Sequence, residues 1–388
     1  MDKKRVLIPE MLFFQEGPGV RNTQYTDSGV KLLNVANLVD GRVDLSTSNR
    51  YISEEEAYGK YNHFLVDEGD FIIASSGIKV EYFDKKMGFV DASQLPLCMN
   101  TSTIRFKVLE KEKLNIRYFM YYLKSQDFKN QLSRQITGSA QLNFGPSHLK
   151  KMKFPLVGIG EQNDICCKLD KIVSIVEKRQ EQLEKFDLLI KARFVEMFGF
   201  PVSNTKGWKT EQMGEVAPAV NYKGKFDDKI WLLNLDMVEA QTGRVLDYLF
   251  VSEEEVGNST CTFDTSNVLY SKLRPYLNKV VIPDRCGYAT SELVPLKPVS
   301  TKINREYLAF MLRSDEFVNM INEKVAGAKM PRVSMGDFRK FDVPVPPIEL
   351  QNQFADFVKQ VDKSKFEIRK SLEKTQQLYD SLMQKYFG

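Results

Sequence analysis

The strongest constraint on this chain is a pattern of residues that occurs twice. A shift of 189 residues, which superposes Gly199 on Gly388, aligns "LNIRYFMYYLKSQDF" (Leu114–Phe128) with "INREYLAFMLRSDEF" (Ile303–Phe317). The match continues without a gap to the Phe-Gly pair that ends each copy, through Gly138/Gly327, Lys151/Lys340, Pro155/Pro344, Gln162/Gln351 and Asn163/Asn352. A match in one register over so many residues is not expected by chance, so the chain contains two copies of one unit.

The part of each copy before this match is a module of mixed α/β pattern. "KLLNVANLVDGRVDLSTSNRYISEEEA" (Lys31–Ala57) resembles "WLLNLDMVEAQTGRVLDYLFVSEEEV" (Trp231–Val256) once small gaps are allowed. Short β-branched and aromatic runs predict strands, and helical spacing follows at residues 116–132 and 305–324. We predict module 1 over residues 1–157, a helical segment over 158–200, module 2 over 201–346 and a second helical segment over 347–388.

Both helical segments carry apolar residues at heptad spacing, with no Pro or Gly between them, which is typical of a coiled-coil seam. Basic residues interrupt the seam at different places in the two copies, Arg179 and Arg193 in the first and Lys365 in the second, which favours pairing between the copies. The predicted seam residues are Ile165, Leu169, Ile172, Val176, Leu183, Phe186 and Ile190 in the first segment, and Phe354, Val358, Val361, Ile368, Leu372, Tyr379 and Leu382 in the second.

Connection lengths predict the direction of the pair. The first helix reaches module 2 through little more than residues 199–201, and the second leaves module 2 at a Pro-rich exit, so paired helices must run antiparallel. About 38 helical residues form a shaft of roughly 55 Å, which exceeds one turn of duplex DNA at about 34–36 Å. The predicted fold is a mixed α/β tandem repeat of pseudo-two-fold symmetry, with two globular modules separated by a long antiparallel two-helix coiled coil.

The local distribution of charge indicates a nucleic-acid partner, although the net charge does not. With 55 basic and 51 acidic residues, a net charge of +4 is too balanced to indicate nucleic acid. Residues 128–160, however, contain five Lys or Arg and no acid, and residues 324–341 contain five against Asp337 alone. These two basic segments superpose in the repeat register, so they need a common explanation.

Motifs for catalysis are missing from the sequence. Two histidines lack a nearby nucleophile or metal partner, and five cysteines without C-x-x-C spacing predict reduced thiols. Neither a phosphate-binding G-x-x-x-x-G-K-[ST] loop, nor a G-x-G-x-x-G after a strand, nor the Asn/Asp-Pro-Pro-aromatic signature of an adenine methyltransferase is present. No membrane span or signal peptide is recognisable, so we expect a cytoplasmic, non-catalytic chain that binds no metal.

Several motifs occur in an order that resembles a known family. They are the opening "GWK…MGEV" (Gly207–Val216), "ATSELVPLKP" (Ala289–Pro298), and the exits "FPLVGIGEQ" and "VPVPPIELQ" that lead into the helical segments. Together with the duplication, they make the whole chain resemble the specificity subunit of type I restriction–modification systems, the HsdS family.

The resemblance implies that the modules are target-recognition domains, each reading half of a split, asymmetric DNA sequence. It implies that the helices dock two copies of a modification methyltransferase subunit, which carries S-adenosylmethionine, and that a restriction subunit carries ATP. This chain itself is then expected to bind neither cofactor. The alternative is a coiled-coil scaffold, or another DNA-binding protein without a methyltransferase partner; a scaffold alone would not explain the matched basic segments.

DNA contacts are expected from Lys and Arg at phosphates and from Arg, Asn, Gln, Ser and Thr at base edges. The candidates are Arg21, Asn22, Ser75, Ser76, Lys79, Thr137, Ser139, Gln141, Lys150 and Lys151 in module 1, and Tyr222, Lys223, Lys272, Arg274, Tyr276, Lys329, Arg332, Arg339 and Lys340 in module 2.

Overall fold

The structure is a computed structural model that describes residues 4–135, 142–226, 228–325 and 330–388. The chain divides into two compact units: unit 1 contains Met1–Lys178 and Leu372–Gly388, and unit 2 contains Arg179–Ser371. Among the helices described, none has the length and apolar character needed to cross a membrane.

The α-helices in chain order are α1 (Ile8–Met11), α2 (Glu54–Tyr58), α3 (Ile116–Lys124), α4 (Gln126–Gln135), α5 (Pro146–Leu149), α6 (Ile159–Phe198), α7 (Met213–Val216), α8 (Arg305–Arg313), α9 (Asp315–Glu323), α10 (Met335–Arg339) and α11 (Ile348–Phe387). The strands of unit 1 are β1 (Arg5–Leu7), β2 (Leu12–Glu16), β3 (Val30–Leu33), β4 (Leu38–Val39), β5 (Arg42–Val43), β6 (Tyr51–Ile52), β7 (Phe71–Ala74), β8 (Ser76–Ile78), β9 (Met87–Phe89), β10 (Leu97–Met99), β11 (Thr103–Val108), β12 (Leu142–Asn143) and β13 (Lys153–Pro155). Those of unit 2 are β14 (Thr210–Gln212), β15 (Ile230–Leu233), β16 (Leu249–Val251), β17 (Thr260–Phe263), β18 (Val268–Ser271), β19 (Val280–Val281), β20 (Gly287–Thr290), β21 (Leu293–Leu296) and β22 (Asp342–Pro344).

The two units have related sheets, but the sheet that has three strands in unit 1 has four in unit 2, and the reverse. Unit 1 has a three-stranded sheet of order β10-β3-β6 and a four-stranded sheet of order β2-β11-β7-β9; unit 2 has the corresponding orders β17-β20-β15-β16 and β21-β18-β19. In each unit one neighbouring pair is parallel, β3 with β10 and β15 with β20. Each module also begins and ends on one strand pair, β1 with β13 and β14 with β22. The predicted mixed α/β fold in two repeats is confirmed.

A buried glutamine joins module 1 to the start of α6. The amide nitrogen Nε2 of Gln162 donates to the carbonyl oxygens of Lys113 and Val157, each at 2.8 Å. Its Oε1 accepts from the backbone N–H of Asn115 at 2.9 Å. The side chain is 0% exposed, so it satisfies three backbone groups where water is excluded.

The same arrangement recurs at the start of α11. Nε2 of Gln351 donates to the carbonyls of Lys302 and Pro346 at 2.9 and 2.8 Å, and its Oε1 accepts from the N–H of Asn304 at 2.9 Å. Gln351 is also 0% exposed. All partners are related by the 189-residue shift. We call these two sets the amide joints.

Each long helix ends among aromatic residues of a module. In unit 2 the Phe198 ring lies 4.7 Å from that of Tyr307 and 5.5 Å from that of Phe354, measured between centroids. In unit 1 the Phe387 ring lies 5.0 Å from that of Tyr118. The tyrosine hydroxyls are bound to backbone carbonyls of the module exits. The repeated Phe-Gly pair is therefore a buried anchor as well as a helix end.

Trp208, in the opening of module 2, is hydrogen-bonded to the end of α6. Its indole N–H donates to the carbonyl oxygen of Phe198 at 3.0 Å, and so caps the end of α6.

The long helices pair in opposite directions in each unit. In unit 2, Arg179 donates to the carbonyl of Ser371 at 2.9 Å, and the Phe194 ring lies 5.5 Å from that of Phe354, so partner numbers fall as residue numbers rise. In unit 1 the start of α6 shares a core with the end of α11. Antiparallel pairing is the direction that the connection lengths predicted.

All the predicted seam residues are buried or half-buried on these helices. Ile165, Leu169, Ile172, Ile190, Phe354, Val358 and Val361 are buried, and Val176, Leu183, Phe186, Ile368, Leu372, Tyr379 and Leu382 are half-buried. The basic interruptions have partners of their own within unit 2. Lys365, 7% exposed, forms an ion pair with Asp187, and Arg193 is paired with Glu196 at 2.8 Å.

The aromatic anchor predicts a matched pair of stability effects. Replacing Phe387, which is 0% exposed, by Ala should lower the free energy of unfolding by about 3–5 kcal/mol, because a buried ring is lost and a cavity remains. Phe366→Ala on the same helix is the control: this ring is 61% exposed, and the change should stay within about 0.5 kcal/mol. Denaturant unfolding followed by circular dichroism measures both; equal effects would contradict the anchor.

Candidate nucleic-acid interface

In unit 2, backbone pairing brings two predicted segments together. Leu273 and Arg332 form an antiparallel bridge. The N–H of Val333 donates to the carbonyl of Lys272 at 2.9 Å, and the N–H of Arg274 donates to that of Pro331 at 2.8 Å. The segment 272–276 thus lies against residues 330–333 of the second basic segment, although more than fifty residues separate them in the chain. We call residues 272–276 and 330–333 the loop pair of unit 2.

Unit 1 has an equivalent loop pair, residues 75–79 and 142–144. β12 pairs with β8 in the register Leu142↔Ile78 and Asn143↔Ser76, and the N–H of Phe144 donates to the carbonyl of Ser75 at 2.9 Å. Phe144 and Val333 are related by the 189-residue shift, so both loop pairs close on the same backbone hydrogen bond. The sequence repeat was too loose before residue 114 to predict this.

Most candidate side chains that the structure describes are at the surface. Ser76, Tyr222 and Lys272 are half-buried, and the exposed set is Arg21, Asn22, Lys79, Lys150, Lys151, Lys223, Arg274, Tyr276, Arg332, Arg339 and Lys340. Thr137, Ser139, Gln141 and Lys329 lie outside the described residues. The loop pairs bring together Ser76 and Lys79 in unit 1, and Lys272, Arg274, Tyr276 and Arg332 in unit 2.

Ser75 requires a correction. Its side chain is 0% exposed and its Oγ lies 3.3 Å from Oε1 of Glu16. Its backbone N–H donates to the carbonyl of Ser102 at 2.8 Å. A hydroxyl packed on all sides cannot reach a base edge, so Ser75 supports the loop from beneath instead of contacting DNA.

Arg332 is held in place by an acid that the sequence did not single out for this role. Nη2 and Nε of Arg332 lie 3.0 and 3.3 Å from Oε1 of Glu292, and the hydrogen bond to this carboxylate and its charge raise the pKa of the guanidinium. Glu292 belongs to the motif "ATSELVPLKP". The backbone carbonyl of Glu292 also accepts from the N–H of Lys272 at 3.0 Å. Glu292 is therefore hydrogen-bonded to both segments of the loop pair, residues 272–276 and 330–333.

A short helix follows each loop pair and ends in two exposed cations. α5 is followed by Lys150 and Lys151, and α10 ends at Arg339 with Lys340 after it. These basic pairs occupy identical positions in the repeat register. Neighbouring exposed cations on a fixed turn are suited to phosphate oxygens.

The remaining candidates lie on other elements. Arg21 and Asn22 belong to a short 3-10 turn, where the N–H of Arg21 donates to Oε1 of Gln24 at 3.1 Å. Tyr222 lies beside β17, with its backbone N–H donating to the carbonyl of Thr262 at 3.1 Å. No described hydrogen bond joins either segment to the loop pairs.

Comparison with known proteins supplies the family. A family model described as type I restriction modification DNA specificity domain matches residues 29–185 and again 205–378. The chain is 21% identical over 310 residues to the type I restriction enzyme EcoDI specificity subunit of Escherichia coli, covering 69% of this chain and 69% of that protein. It is 26% identical over 191 residues to the MjaVIII specificity subunit of Methanocaldococcus jannaschii, covering 47% of this chain and 43% of that protein.

Solved structures share the fold. The crystal structure of the type I restriction–modification S subunit from M. genitalium matches with a TM-score of 0.57 and 16% identity, over 100% of this chain and 96% of that chain. A chain from a structure of complex assembly and conformational transition of the type I R-M system matches with a TM-score of 0.57 and 15% identity, over 99% and 97% of the two chains. Because the family model covers most of the chain in two copies, one for each module, the protein belongs to the family of DNA specificity subunits of type I restriction–modification systems.

Proposed function

We propose that this chain reads a split, asymmetric DNA sequence, one half at each module, and directs two copies of a modification methyltransferase subunit to it. The observation that carries the proposal is the loop pair, which closes on the same backbone hydrogen bond in both units but carries different side chains. Residues 75–79 read Ser-Ser-Gly-Ile-Lys, whereas residues 272–276 read Lys-Leu-Arg-Pro-Tyr. To read two unlike half-sites, equivalent loops must present different hydrogen-bonding groups to the bases.

The basic pairs support a role in positioning the DNA. They carry no sequence information themselves, since phosphates are the same at every base pair. The basic pairs lie at the same place in both modules, whereas the neighbouring loops differ in sequence. We therefore assign phosphate binding to the basic pairs and base recognition to the loops.

Exposed apolar residues on the long helices support partner docking. Leu189 on α6 is 47% exposed and Leu378 on α11 is 51% exposed, and the two are equivalent in the repeat. Leu188 and Phe366 on the same helices are 63% and 61% exposed. One such leucine in each copy supports two equivalent docking sites for the methyltransferase subunit. The docked subunits would carry S-adenosylmethionine, and a restriction subunit would carry ATP. We expect the complex to act in the cytoplasm.

The central test is reconstitution. The chain alone should methylate no DNA, whereas the chain with its candidate methyltransferase subunit should methylate adenines within one split sequence of fixed gap length. Sequencing modified adenines in a plasmid library reports both half-sites in one measurement. Methylation of contiguous sites, or the same pattern without this chain, would contradict the proposal and favour a scaffold.

Removing a basic pair should weaken DNA binding equally for all sequences. For Arg339→Ala with Lys340→Ala in the reconstituted complex, the slope of log K against log salt should fall by about 0.9 for each lost phosphate contact, or roughly 2 in total. Lys370→Ala with Lys374→Ala, exposed on α11, is the control that removes equal charge. Fluorescence anisotropy at several salt concentrations measures the slope; an unchanged slope would remove the pair from the interface.

Docking can be tested at the two leucines. Leu189→Asp and Leu378→Asp should each reduce the number of bound methyltransferase subunits, and the double variant should bind none, because a charge is placed in an apolar contact. Gln180→Asp and Gln360→Asp, exposed on the same helices, are matched controls. Light scattering of the purified complexes gives the stoichiometry, and full occupancy in the double variant would place docking elsewhere.

A further inference from the structure

Arg274 has a backbone conformation that is unfavourable for a residue with a Cβ atom. Its φ is 49° and its ψ is 64°, in the left-handed region where a Cβ crowds the following carbonyl oxygen. The backbone holds it there: its N–H donates to Pro331 at 2.8 Å, and its carbonyl accepts from Leu277 at 2.9 Å. Glycine adopts this conformation without strain.

The equivalent position in unit 1 is a glycine. Gly77 follows Ser76 in the loop pair as Arg274 follows Leu273, and its φ is 74°. A Cβ built at Gly77 meets no described atom within 4 Å, so crowding does not explain the absence of a side chain there. One fold position thus accommodates both residues, and the strained choice in unit 2 needs a reason.

Contacts with the residues that the structure describes do not supply that reason. The Arg274 guanidinium has no hydrogen bond or ion pair with any residue in the described ranges. Several other arginines of unit 2 are bound internally: Arg332 by Glu292, Arg244 by Glu239 at 2.7 Å, and Arg313 by the carbonyl of Val280 at 3.0 Å. Strain that is retained without a partner among the described residues points to a partner outside the chain.

We propose that Arg274 reads one guanine in the half-site of module 2, with two guanidinium N–H groups donating to O6 and N7 of that base. This inference rests on the proposed function and assigns one base contact within it. Arginine is the residue whose planar fork matches the two acceptors of guanine in the major groove. Its anchored backbone directs the side chain, and the neighbouring Tyr276, 47% exposed, lies on the same turn. Module 1, with Gly77, lacks this contact.

Two variants separate the side chain from the backbone. Arg274→Gly removes the side chain and the strain together, so its melting temperature should equal or exceed that of the wild type. Arg274→Ala removes the side chain but keeps the left-handed Cβ, so it should melt below Arg274→Gly. Lys340→Ala is the control for the loss of one positive charge near DNA.

The readout is base preference, measured by sequencing methylated adenines after the reconstituted complex acts on a library randomised in both half-sites. Both Arg274 variants should lose guanine discrimination at a single position of the module 2 half-site, by about 5- to 150-fold, and keep the other half-site and the gap. Lys340→Ala should weaken binding at all sequences equally.

Three outcomes would overturn the assignment: unchanged base preference, a uniform loss of affinity for all sequences, or a change in the module 1 half-site. Failure of the proposed function looks different, because the wild-type complex would then methylate no split sequence at all. Loss of folding in one variant is visible in its melting curve, and the other variant still decides the base preference.

Discussion

The amide joint is the interaction on which the arrangement of each unit depends. Gln162 and Gln351 each bind three backbone groups that fold back from the module onto the first turn of a long helix. An apolar residue of similar size would leave those groups buried and unpaired, at a cost of about 1–3 kcal/mol each. Because a glutamine amide donates and accepts in fixed directions, the module and the helix have a single relative orientation at the joint.

This joint explains which residues recur in register and which do not. The match is closest from residue 114 onward, where the joint, the exit strand and the long helix lie. Before that point the modules keep their sheets and the hydrogen bond that closes the loop pair, while the side chains of the loops differ. Recognition surfaces can therefore change without affecting the geometry that carries them.

Periodicity and repetition predicted the fold class, the seam and the direction of the helices, because each depends on spacing along the chain. They did not predict the loop pairs, since pairing between residues 272–274 and 331–333 is a long-range contact with no local signal. The burial of Ser75 and the left-handed backbone of Arg274 could not be predicted from the sequence, for the same reason. A serine in a turn and an arginine in a basic region look exposed and unstrained until tertiary contacts are known.

The two long helices are similar in sequence yet not interchangeable, and one buried charge shows why. Lys365 on α11, 7% exposed, is neutralised by Asp187 of α6. In the repeat register the counterpart of Asp187 is Gln376, and that of Lys365 is Val176. A second α11 would therefore offer an uncharged amide in place of Asp187, and the buried lysine would keep only Asp362 of its own helix, at 4.0 Å. Loss of the closer carboxylate beside a buried charge is unfavourable. This buried charge thus favours pairing of α11 with α6 over pairing of α11 with a second α11.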